Sequence, residues 1–118
     1  MKKITILFLL FIAMASFTQT EDSYKTTVVK ISESYNAKDA KAIFDLFSAE
    51  LQSTFTLEKV ESFIQDNQMD KGMIGESSFL VEEETTRHYL LEFDNTSTIL
   101  VIGLSSDNKI NKLSLEEY

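Results

Sequence analysis

The stretch RHYLLEFDNTSTILVIGL (Arg87–Leu104) decides the fold. In Arg87–Phe93, Tyr89, Leu91 and Phe93 point one way and His88, Leu90 and Glu92 the other, the two-residue period of a pleated strand. Asp94-Asn95-Thr96 supplies a turn. Ser97–Leu104 is then a nearly continuous apolar run, as expected of a central strand covered on both faces. Such short connections imply antiparallel hairpins.

Working outward, Ser105–Asn108 forms a second turn, followed by a strand over Lys109–Leu115. Upstream, Gly75–Val81 predicts another strand, with Phe79 and Val81 on one face. Before Gly72 the spacing becomes helical. Tyr24, Val28, Ile31 and Tyr35 form an apolar stripe along a helix over Glu21–Tyr35, with Asn36 as its stop. Ala40, Ile43, Phe44 and Phe47 give the buried face of a second helix over Asp39–Leu51, and Asp39 sits where a negative charge suits the helix dipole. Thr56 caps a third helix, which buries Val60, Phe63 and Ile64 and fades across Asp66-Asn67-Gln68. Helices followed by consecutive strands define an α+β protein: about three helices packed on one face of a four-stranded antiparallel meander.

Composition agrees with one ordinary globular unit, since 43% of the 118 residues are hydrophobic and 25% charged. No Cys is present, so thiol chemistry, Cys-ligated zinc, iron–sulfur clusters and disulfides are excluded. There is no Pro to form a rigid linker.

Residues 1–20 read as a signal peptide with a bacterial style. Lys2 and Lys3 precede the apolar run Ile4–Ala15, and Ala13-Met14-Ala15 offers the small-x-small cleavage pattern, so cleavage is expected near residues 15–20. The apolar run falls well short of the roughly 20 residues a membrane-spanning helix needs. The expected mature domain, residues 21–118, is therefore exported, periplasmic or secreted. Without Lys2 and Lys3 it carries nine basic against nineteen acidic residues, a net charge of −10. That balance argues against nucleic acid and anionic membrane as partners, because both are recognised by cations on phosphate.

Two segments resemble a known family. SYNAKDAKAIFDLFSAEL (Ser34–Leu51) resembles the opening of cone-shaped domains of the nuclear-transport-factor-2-like superfamily, with a Tyr-Asn helix end, an Asp beginning the next turn and a buried Leu-Phe pair. VIGLSSDNKINKLSL (Val101–Leu115) resembles the closing stretch of uncharacterised bacterial domains of this type, often found ahead of serine beta-lactamase-like or hydrolase domains. The resemblance spans roughly Asp22–Leu115 and implies a curved sheet and helices enclosing a cone. It brings no catalytic residues with it, and no hydrolase domain follows within these 118 residues.

The motifs that might carry chemistry are few. Ser106-Asp107-Asn108 spells a beta-lactamase signature, but Lys71-Gly72 lacks the Thr of the K-T-G strand that accompanies it. These are also the residues that turns favour, and the turn reading is preferred. His88 is the only histidine; with Glu92 on its face or with Glu84 it could form a carboxylate–imidazole pair, yet one His falls short of a zinc site. Glu82-Glu83-Glu84 alternates faces and does not converge on calcium. Asn95-Thr96-Ser97 is a glycosylation sequon only in a eukaryotic secretory pathway.

The superfamily likeness implies that a cone enzyme would use a buried base with Tyr partners. Asp45, with Tyr35 and Tyr89, is the carboxylate to weigh, and its helical angle places it toward solvent. The expectation is an exported, non-catalytic binding or accessory module for a small molecule or protein. Tyr35, His88, Tyr89 and Glu92 are its pocket candidates, and neither metal nor cofactor is expected. A homodimer is left open. The alternative is a small isomerase- or hydrolase-like enzyme using His88 or a pocket carboxylate.

Overall fold

A computed structural model describes residues 21–118, so the expected signal peptide lies outside the described residues. Helix α1 covers residues 21–36, α2 Ala40–Asp45, α3 Ala49–Thr54 and α4 Leu57–Lys71. Strands β1 (Ile74–Glu82), β2 (Arg87–Phe93), β3 (Ser97–Leu104) and β4 (Ile110–Glu117) follow, paired antiparallel in chain order. The coarse expectation, α+β with an antiparallel meander, is what the chain adopts.

The alternation read from Arg87–Leu104 sets the core. Tyr89, Leu91 and Phe93 on β2, with Leu100 and Ile102 on β3, are buried against Tyr24, Val28, Ile31 and Tyr35, the whole predicted stripe of α1. Val60 and Ile64 of α4 and Ile43 of α2 close this layer. On the other face of β3, Val101 is also buried, outside that cluster, as a central strand requires. The Tyr24 hydroxyl accepts from Leu104 N at 3.1 Å and stitches α1 to β3.

The second predicted helix is two helices. Leu46–Ser48 leaves the helical path because its backbone pairs with the sheet: Ile110 N donates to Leu46 O, and Ser48 N donates to Ile110 O, both at 2.8 Å. Phe47 thereby bridges Ile110 in parallel sense, and Ser48 restarts the chain as the N-cap of α3, its hydroxyl accepting from Leu51 N. Phe44, Phe47, Phe55 and Phe63 run edge-to-ring through α2, the bridge, the end of α3 and α4, with centroids 5.2–6.1 Å apart.

Three further expectations change. Asn36 does not stop α1 by a left-handed turn; Lys38 holds the positive φ of 59°. The Asn36 side chain instead acts as a strand partner, donating to Ile74 O and accepting from Ile74 N, both at 2.9 Å. Helix α4 does not fade at Gln68 but runs to Lys71 and ends at Gly72, whose φ of 91° suits glycine. Its last turn is held because Gln68 Nε2 donates to Tyr35 O at 2.7 Å. Finally, Phe79 and Val81 do not share a face: Phe79 pairs with Tyr89 and Val81 with His88, which point oppositely, so Leu80 is the extra residue of a bulge.

Candidate functional site

Tyr35, His88, Tyr89 and Glu92 do not come together. Tyr35 is fully buried among α1, α4 and β2; its hydroxyl donates to Gly72 O at 2.8 Å and its ring meets Phe93 edge-on. Burial, helped by the Asp94 charge, pushes the Tyr35 hydroxyl up to about 12. His88 and Glu92 occupy the opposite face of β2 from Tyr89. The neighbour of His88 is Glu83 at 3.8 Å, rather than Glu84 or Glu92. Asp45 is exposed and paired with Lys41 at 3.2 Å, as its helical angle required. Glu83 and Glu84 stand exposed on the β1–β2 turn, and no group of His, Asp and Glu side chains among the described residues is placed to hold a metal ion.

Ser106-Asp107-Asn108 lies on the β3–β4 turn. The Asp107 carboxylate accepts from the Ser105 hydroxyl, which holds it below its usual range. Ser106 also stands three residues before Lys109, but on this turn and not on a helix facing a K-T-G strand.

Tyr89 leads elsewhere, to a cleft of about 360 Å³ between α1 and the β1–β2 hairpin. Helix α1 contributes Val28 and Val29 as one wall and Lys25 at the rim; Ser77 and Phe79 of the edge strand form the other. Arg87 and Tyr89 make the floor, with Glu21 at the mouth. Phe79 is 52% exposed at the cleft, and Leu80 and Val81 further along β1 are exposed too.

Arg87 is the organising residue. It occupies the first inward position of β2, in step with Tyr89, Leu91 and Phe93, so an ionised side chain points at the core face. Only 7% of that side chain is exposed. Its guanidinium carbon lies 5.1 Å from the Tyr24 ring centre and 5.2 Å from that of Phe79, within cation–π range of both. Glu82 accepts from Nη2 at 3.3 Å, Glu21 approaches to 3.8 Å, and the buried Nε has no partner. Burial pushes the Tyr89 hydroxyl above its ordinary value, and the neighbouring Arg87 offsets part of that rise.

Sequence reasoning missed Arg87, although a signal was present: counted in twos from Tyr89, it falls on the apolar side of its strand. A larger depression of about 570 Å³ lies along α4 beside Lys38 and Ala40. Of its polar groups Gln68 is already committed to Tyr35 O.

The geometry defines a class: helices layered on one side of a four-stranded antiparallel meander, with a side cleft floored by a buried arginine. No family model matches the chain, and no curated protein or solved structure is significantly similar to it. No described helix is long and apolar enough to cross a membrane.

Proposed function

We propose that this protein is an exported, non-catalytic binding module of the nuclear-transport-factor-2-like type, and that its ligand occupies the α1–β1 cleft. One observation carries the reading: the cleft has apolar walls and a cation buried at its floor. Sequestering a guanidinium from water costs several kcal/mol that its half-exposed glutamate partners return only in part. Apolar walls with a few convergent polar groups are the general form of a small-ligand site. The catalytic alternative through His88 draws nothing from this arrangement, since His88 is on the far face of the sheet.

The test is a screen of small molecules by amide chemical-shift mapping on the full chain. Hits are expected to perturb Lys25–Val29, Ser77–Phe79 and Arg87–Tyr89. They are expected to vanish in Val29→Trp, which fills the cleft from a half-exposed position. Hits that map to the α4 depression, or that survive Val29→Trp, overturn the proposal. Export is tested separately: the expressed chain is expected outside the cytoplasm with a mass corresponding to loss of about residues 1–15 to 1–20, and an intact cytoplasmic chain refutes it.

A further inference from the structure

We infer that the ligand of this cleft is a small organic monocarboxylate with an apolar body, bound through Arg87. The inference rests on the binding-module reading and adds to it the chemistry of the ligand.

The argument begins with what Arg87 lacks. A guanidinium has five N–H donors in a fixed fork. Here the one hydrogen bond it makes is to Glu82 Oε2 at 3.3 Å, with Glu21 Oε1 beyond at 3.8 Å and the Tyr89 hydroxyl alongside, and Nε is both shielded from water and unpartnered. An unmet buried donor on a charged group is costly, and the group that satisfies two guanidinium donors at once is a carboxylate, bound side by side. Both glutamates are about half exposed, so either can swing to water and yield its place. The guanidinium itself is held: Tyr24 and Phe79 fix its position, so a ligand meets a preorganised donor.

Charge and shape narrow the ligand further. Arg87 and Lys25 supply two positive charges, while Glu21 and Glu82 stand beside them. With Glu82 turned to solvent the local charge becomes +1, which suits a single negative charge and opposes a phosphate dianion. Across the remaining surface the strong excess of acidic residues repels anions, which leaves this cleft as a favoured point of approach. Val28, Val29 and Phe79 require an apolar body beside the carboxylate, and Ser77 and Tyr89 offer hydroxyls along the way. A volume near 360 Å³ lies at the small end of the usual range for ligand clefts, which runs from about 300 to 1,000 Å³.

The experiment titrates the full ¹⁵N-labelled chain with phenylacetate and with its neutral isostere phenylacetamide. Phenylacetate is expected to shift the cleft amides and to bind about ten-fold more tightly than the amide, the scale of a charge-assisted pair. Glu82→Gln removes the competing negative charge and is expected to tighten phenylacetate binding about two- to five-fold; Lys25→Gln weakens it by a similar factor. Both positions are exposed, and a circular dichroism spectrum of each variant checks that the fold is kept. Arg87→Lys keeps the charge, loses the fork and is expected to reduce the preference for phenylacetate without abolishing it.

Equal affinity for both probes at the cleft overturns the carboxylate inference and leaves the cleft as a binding site. Looser phenylacetate binding in Glu82→Gln overturns the role given to Glu82. Absence of any cleft shift with either probe, together with failure of the small-molecule screen, overturns the binding-module reading as well.

Discussion

Replacing Tyr35 by Phe removes one oxygen from the junction of α1, α4 and β1, and its cost should reverse sign with pH. At neutral pH the Tyr35 hydroxyl donates to Gly72 O at 2.8 Å from a side chain that is 1% exposed. Without it that carbonyl loses its buried donor, at a cost of about 1–2 kcal/mol. The edge-on contact with Phe93 is retained, so no cavity is added. Burial first, and the Asp94 charge second, hold the native hydroxyl up to about 12, against 10.0 for a free tyrosine. The unfolded chain therefore releases this proton from about pH 10 and the native chain only near 12. Its contribution to stability is complete below pH 10 and is lost on rising through the folded value, at about 1.4 kcal/mol per pH unit. Tyr35→Phe has no such loss. The gap between the two proteins should be about 1–2 kcal/mol at pH 8, close near pH 11 and favour the variant by pH 11.5. Parallel urea titrations followed by circular dichroism measure it, with the other tyrosines and lysines common to both chains. A gap unchanged between pH 8 and pH 11.5 would refute the reasoning.

Gly72→Ala sets a side chain at φ 91°, with its Cβ 2.7 Å from Asp94 Cβ and Oδ2, and should cost about 2–3 kcal/mol, read as a fall in Tm of about 10 °C or more. Asn36→Ala strands both backbone groups of Ile74 and should cost about 2–3 kcal/mol, with amide exchange at Ile74 faster by at least ten-fold. Ser48→Ala removes the α3 cap and should lower stability by about 1 kcal/mol in urea unfolding. Ile110→Ala, at the fully buried first residue of β4 that bridges Phe47, should cost about 2–5 kcal/mol by the same measurement.

What could be read from the sequence was set by periodicity, and what could not was set by contacts distant along the chain. The stripe Tyr24-Val28-Ile31-Tyr35 and the alternation of β2 record burial directly, and both faces emerged as expected. The break in the second helix did not, because its apolar spacing runs on through Phe47, and the interruption comes from Ile110, which no local pattern contains. The same holds for α4: Asp66-Asn67-Gln68 reads as an ending until Gln68 finds Tyr35 O. In β1, the Leu80 bulge shifts the faces by one residue, and nothing in the strand's own composition marks it. For the cleft, Tyr89 is legible and Arg87 is not, because an ionised side chain ordinarily marks solvent and only its even spacing from Tyr89, Leu91 and Phe93 marks it as inward.

Because β1, β2, β3 and β4 pair only with their neighbours in the chain, every ladder is closed by a turn of a few residues. The sheet between Ile74 and Glu117 can zip up from local hairpins, each paying little loop-closure entropy. Helix α1 has the longest search: it must find Leu104, eighty positions away through Tyr24, and its arrival completes the wall of the cleft. In refolding, sheet signals should therefore recover before those of Val28, Val29 and Arg87, and an intermediate lacking α1 would have a hairpin with an open, unlined edge.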